Sequence, residues 1–191
     1  EGAKGHAAGT LPPFIGIRIK PLSAELAARG LRTADIFIST LLARTKNRLP
    51  AGFVVTLPKI VTKEQVSVAA KALRAIEKAH KLKPGSLKME LMVETTQSIF
   101  SAAGRLALPE LIEAGDGRVR GAHFGAYDYT AACNITAQYQ SMVHSACDFA
   151  RHVMQVSVAG TGVTLADGAT NVMPVPLHKA KGEETLGAEQ Q

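Results

Sequence analysis

Apolar and polar residues along the chain alternate between two periods. "PPFIGIRIKP" holds a short apolar run between Pro12–Pro13 and Pro21, which predicts one buried strand with Arg18 inside it. Residues 33–47 follow a helical spacing, with Thr33 as the expected cap and Ile36, Leu41 and Leu42 among the apolar positions. "AGFVVTLPKI" predicts the next strand, bounded by Gly52 and Pro58. Beyond it Thr62 and Gln65 have the spacing of a capping box, and Val66, Ala69, Ala70, Leu73 and Ile76 recur on one helical face until "KPG" at 83–85. A strand over 88–94 and helical material around 96–114 follow, ending near Gly115 and Gly117. The pattern repeats with "RVRGAHFGAYD", a long helical region over about 136–159 closed by Gly160 and Gly162, and a strand "VTLAD" at 163–167.

"NVMPV" at 171–175 predicts one more strand, whereas 178–191 is polar without a sustained apolar face and is expected to be a poorly ordered tail. The Gly- and Ala-rich first ten residues carry the same expectation. Strands that alternate with helices imply βαβ units and a parallel α/β sheet. The 191 residues, 46% hydrophobic, suit one domain over 1–191. The chain opens at Glu1 rather than Met with no signal-like start, so a fragment is the expectation.

Composition narrows the classes. No apolar run approaches the roughly 20 residues of a membrane span. Cys133 and Cys147 do not form a CxxC pair, and reduced thiols in a cytoplasmic protein are expected. The net charge is +6, but Lys and Arg are spread along the chain and aromatics are 5% of residues, so no nucleic-acid partner is implied. A small anionic substrate and a merely basic surface both account for the charge. "AGTGV" at 159–163 follows a helix and precedes a strand, the wrong order for a phosphate loop, and reads as a helix end.

The candidate chemistry lies at strand ends. In "KMELMVETTQSIF", Glu90, Met92 and Glu94 face one way while Met89, Leu91 and Val93 face the other. Parallel α/β folds bind ligands outside the carboxyl ends of their strands. Arg18, Lys59, Glu94, Asp128 and Asp167 all fall at or near such ends. Any one of these acids could cap a helix or pair with a base, but three on three strands with basic residues at the same end point to a site. Glu94 and Asp128 would suit Mg²⁺, a hard cation that takes oxygen ligands and keeps several waters. The rigid guanidinium fork of Arg18 suits a carboxylate or enolate oxygen. Glu90 lies about 13 Å back along its strand, where a salt bridge is expected. His144 and His152 fall on a helix and read as surface residues.

"GIRIK", "FVVTLPKI", "LMVET" and "FGAYDYT", in that order, resemble the HpcH/HpaI aldolase and citrate lyase family of phosphoenolpyruvate/pyruvate-type barrels. "AYDY" after Gly125 also resembles malate synthase, a related barrel, which suggests an outlying branch. The resemblance implies a TIM-type (β/α)₈ barrel, incomplete here with five or six βα units and lacking its first strands. It implies Mg²⁺ or Mn²⁺ on Glu94 and Asp128, a 2-oxo acid held by Arg18 and by backbone amides near Gly125 and Ala126, and carbon–carbon cleavage through an enolate. Lys59 matches the family's Pro-Lys strand end, where it could meet a substrate phosphate or carboxylate or pair with Glu94. The family's base His lies upstream of the Arg strand, in a region this chain lacks. His123 is the substitute candidate, with a structural role as the alternative, and Asp167 is either a mouth residue or a turn former. Homo-oligomers are implied as well. An acyl-CoA lyase or malate synthase-like condensing enzyme, and a catalytically silent fragment or binding module, are the competing readings.

Overall fold

The computed structural model describes residues 1–170. The expected strand at 171–175 and tail at 178–191 lie outside the described residues. Five parallel strands, β1 (Ile15–Arg18), β2 (Phe53–Leu57), β3 (Lys88–Val93), β4 (Val119–Phe124) and β5 (Thr164–Ala166), form one sheet in chain order. Sequential parallel order requires a crossover between each pair. Four helices supply them: α2 (Ala27–Arg44), α3 (Lys63–Ala79), α4 (Ala107–Ala114) and α6 (Ser145–Val158). The result is a partial TIM-type barrel, with β1 and β5 as the sheet edges among the described residues.

The two faces of the sheet differ as the strand alternation requires. Phe53, Val55, Leu57, Met89, Leu91, Val93, Ala122 and Phe124 are buried with Ile38, Leu42, Val66, Leu73, Leu108 and Met154 of the helices. The opposite face, the inside of the barrel, carries Arg18, Thr56, Glu90, Met92, His123 and Thr164. A bulge between β3 and β4 sets that list. Met89 pairs with Val119, but Glu90 pairs with Gly121, so Arg120 is an extra residue and the phase of β4 reverses. Without it, Gly121 and His123 would turn toward the helices.

The helix α3 agrees with the sequence in detail. Thr62 and Gln65 complete the capping box, and all five apolar positions are buried. Elsewhere the boundaries move. Thr33 is not a cap but lies inside α2, its hydroxyl donating to the Arg29 carbonyl at 2.9 Å. The helix begins at Ala27 with no side-chain cap, and Gly30 sits in it because a Cβ there would come within 2.7 Å of the Lys20 carbonyl oxygen. Ile36 is exposed, unlike Leu41 and Leu42. The opening residues form a helix after all, α1 (Gly2–Ala8), which buries no residue and ends at Gly9 with φ 67°.

Two regions expected as single helices are interrupted. Residues 96–114 divide into a 3₁₀ turn (Thr96–Ser98), a loop closed by the Phe100–Leu106 bridge, and α4. Residues 136–159 divide into a 3₁₀ turn (Ala137–Tyr139) and α6. An unexpected short helix, α5 (Ala126–Ala132), follows β4 directly. Its aromatic and β-branched residues favour strands, but Ala126, Tyr129 and Thr130 are buried, and packing overrides propensity. Gly160 and Gly162, with φ 77° each, turn the chain from α6 into β5, as the sequence implies.

The amino ends of the strands are tied by a buried ion pair. Glu77 at the end of α3 and Arg118 just before β4 are 2% and 3% exposed. Arg118 donates to the two Glu77 oxygens at 2.7 and 2.8 Å and to the Leu87 carbonyl at 3.1 Å. Glu77 also accepts from the amides of Gly85 and Leu87. Both cysteines are free thiols, and among the described residues no helix is long and apolar enough to cross a membrane.

Candidate metal centre

The opposite, carboxyl ends of the strands gather the acidic residues. Glu94 directly follows β3 on the inner face and is 2% exposed. Its burial rests on Gly125, the residue after β4, where a Cβ would stand 2.7 Å from the Glu94 Cβ and 3.0 Å from its Oε2. Gly125→Ala is therefore expected to force Glu94 or the backbone aside, lowering stability by about 1–3 kcal/mol as overpacking does. An unaltered urea midpoint in that variant would remove the glycine from this account.

Asp128 does not lie at a strand end. It is in the first turn of α5, where a carboxylate is favoured by the helix dipole. That turn brings it back beside Glu94, close enough for each carboxyl group to shift the proton affinity of the other. Lys59 touches both acids. Its backbone amide donates to Glu94 Oε1 at 2.6 Å, and its ammonium forms an ion pair with Asp128 Oδ1. The residue follows Pro58 in a left-handed conformation, φ 53°.

These contacts divide the charge unequally. Burial, with the neighbouring Asp128, holds the Glu94 carboxyl above the usual range, although the Lys59 amide and charge oppose it. Burial also acts to raise Asp128, but the Lys59 ammonium, the neighbouring Glu94 and the charge of Arg18 outweigh it and hold that group below the ordinary value. Arg18 leans toward the same centre, its Nη1 3.7 Å from the Met92 sulfur.

The remaining candidates divide. His123 is half-buried on the inner face, paired in register with Met92, two residues before Gly125. Ala126 is buried as the first residue of α5. The Gly125 amide donates to the Val93 carbonyl at 3.0 Å, so the expected use of that N–H for a substrate oxygen conflicts with the strand pairing that already takes it. Asp167 has the parity of the outer face. Its carboxylate accepts from Arg151 Nε of α6 at 3.0 and 3.1 Å and from the Gly168 amide, which holds it away from Glu94 and Asp128 as a turn former. Glu90 accepts from the Thr56 hydroxyl at 2.9 Å, and among the described residues it makes no salt bridge. The Thr95 hydroxyl, which bonds the Ile60 carbonyl and ties the loops after β2 and β3, carries no signal in the sequence. Nor does the Met92 sulfur as a partner for Arg18.

Among the described residues no three His, Cys, Asp or Glu side chains converge. Two carboxylates do not make a closed zinc site, but they fit a hard cation that retains water. A surface hollow of about 490 Å³ between α3 and α4, lined by Lys63, Glu64, Ser67 and Arg105, contains none of the site residues.

The fold has known counterparts. A family model described as a domain of unknown function, DUF6986, matches residues 1–189. No curated protein sequence matches the chain. The magnesium/glyoxylate complex of Haloferax volcanii malate synthase is similar in structure at 16% identity and a TM-score of 0.64, covering 89% of this chain and 49% of that one. The pyruvate/acetyl-CoA ternary complex of the same enzyme is similar at 17% identity and TM-score 0.59, covering 82% and 40%. An HpcH/HpaI aldolase/citrate lyase family protein from Burkholderia cenocepacia J2315 is similar at 13% identity and TM-score 0.57, covering 86% and 62%. The chain spans about half the length of the malate synthase it matches.

Proposed function

We propose that this chain, which belongs to the family described as a domain of unknown function (DUF6986), is a divalent-metal-dependent carbon–carbon lyase or aldolase acting on a 2-oxo acid through an enolate. The observation that carries the reading is the convergence of Glu94 and Asp128 at the carboxyl ends of parallel strands, with two basic side chains beside them. Glu94 and Asp128 would hold Mg²⁺ or Mn²⁺. Bound there, the ion would supply Lewis-acid stabilisation of negative charge growing on the carbonyl oxygen of the substrate. Arg18 would fix the substrate carboxylate through its planar fork and add to that stabilisation. Of the titratable groups on the inner face, His123 is the candidate to take or return a proton, lying about 7 Å below the level of Glu94 at the usual strand rise. The free thiols support a cytoplasmic setting, and the edges that β1 and β5 form among the described residues support a homo-oligomer.

The second reading is a malate synthase-like condensation with an acyl-CoA, favoured by the likeness to a protein whose complexes contain glyoxylate and acetyl-CoA. Calorimetric titration with Mn²⁺, in the presence and absence of oxalate as an enolate mimic, tests what the readings share. Metal binding that oxalate strengthens is expected. Failure to bind metal under both conditions would overturn both. Turnover of oxaloacetate against glyoxylate with acetyl-CoA then separates them.

A further inference from the structure

Among the described residues Lys59 is the basic residue that touches both acids, and it does so through two different atoms. Its left-handed backbone, in the loop between β2 and α3, brings the amide to Glu94 while the side chain reaches Asp128. The ammonium thus offsets the charge of Asp128 from within the chain. A divalent ion bound by Glu94 and Asp128 would meet that positive charge on the oxygen it needs, and the two cations would repel each other.

We propose that Lys59 is a tethered counter-cation that leaves Asp128 when a divalent metal enters and then meets the anionic group of the substrate. The inference rests on the metal reading given above. It assigns Lys59 a positioning role with two opposed effects: the ammonium weakens metal binding and strengthens ligand binding once metal is present. The exchange is physically accessible. Both partners of the ion pair are about half exposed, at 44% and 53%, so breaking it costs little beyond what water returns. The four-carbon stem also lets the charge move without moving the backbone. The amide bond to Glu94 belongs to the main chain and stays in place throughout.

The test compares wild type with Lys59→Met, which removes the charge and keeps the amide donor. Lys59→Gly, which suits the left-handed backbone, is the second variant in case the first folds poorly. Circular dichroism melts establish that each is folded. Titration with Mn²⁺ alone should show affinity about two- to fivefold tighter in the variants, the range a half-exposed ion pair supplies. Titration of the Mn²⁺-loaded proteins with oxalate should show affinity about tenfold or more weaker, as loss of a charge-assisted hydrogen bond produces. Opposite signs in the two titrations support the exchange, because a merely structural lysine would shift both in one direction or neither.

Mn²⁺ binding by the variants but not by wild type would support it too. Unchanged or weaker Mn²⁺ affinity in folded variants, while Glu94→Gln abolishes binding in an otherwise wild-type chain, would overturn the role of Lys59 and leave the metal site standing. Tighter Mn²⁺ binding with oxalate affinity unaltered would overturn delivery of the ammonium to the ligand. Absence of Mn²⁺ binding in wild type and in every variant would remove the metal site and this inference together.

Discussion

Glu77→Ala is expected to destabilise the protein by about 3–5 kcal/mol, because it leaves the Arg118 guanidinium buried and unpaired at the amino end of β4. The ion pair with Arg118 is fully enclosed, so solvent does not screen the loss as it would at the half-exposed Lys59–Asp128 pair. Replacing both partners by Leu and Met should cost less, but not nothing. The Gly85 and Leu87 amides would still lose their acceptor, at about 1–3 kcal/mol for a buried unsatisfied donor. Urea unfolding of wild type, Glu77→Ala and the double variant reads these differences. Equal loss in the single and double variants would show that the guanidinium is not the origin of the cost.

The same residue sets a pH dependence. Burial acts to raise Glu77, but Arg118 and the two amides outweigh it and hold the carboxyl below its ordinary value. A carboxyl lowered on folding contributes stability that is present above the unfolded-state value and is lost as pH falls through the folded one. Acid unfolding of Glu77→Gln should accordingly be less steep than that of wild type over that interval.

How much of this could be read from the residues follows from what each signal reports. The cap and apolar stripe of helix α3 were legible because both are local, although the helix ends at Ala79, short of the "KPG" read as its stop. The parallel sheet was legible because short apolar runs between Pro and Gly alternate with helical segments. Helix α2 was misplaced at its start, since Gly30 weakens a helix locally and is retained for a contact with Lys20 that only the fold creates. Helix α5 was invisible for the converse reason: it is short, and Tyr127, Tyr129 and Thr130 read as a continuation of the strand before it, whereas burial of Ala126, Tyr129 and Thr130 fixes it as a helix. The proximity of Glu94 and Asp128 was legible from their place after apolar strands, although Asp128 approaches Glu94 from a helix rather than from a strand end. Asp167 satisfied the same positional criterion, yet its parity turns it to Arg151. Register alone decides that difference, and a bulge such as the one at Arg120 changes register without any mark in the pattern.

Glu94→Gln and Asp128→Asn are each expected to lower Mn²⁺ affinity by more than about 100-fold, beyond the 10–100-fold typical when a group that only supports a ligand is changed. Among the described residues these two carboxylates are the acidic groups brought together here, so neither loss is made good by the other. The variants should differ in their pH profiles. Because burial and Asp128 hold the Glu94 proton above the usual carboxyl range, that proton must leave before Glu94 can act as a ligand, and wild-type affinity should rise with pH through the raised value and then level off. In Asp128→Asn the neighbouring negative charge is gone, so whatever weak binding remains should reach its plateau at lower pH. Linkage gives an independent check on the metal-free protein. A carboxyl raised on folding contributes stability that is fully present below its unfolded-state value and is lost as pH rises through the folded one. The metal-free wild type should therefore lose stability over the interval in which its metal affinity grows, and Glu94→Gln should show neither change. Parallel pH profiles of Mn²⁺ affinity in wild type and Asp128→Asn would mean that Asp128 does not raise Glu94, and the two acids would then have to be treated as independent.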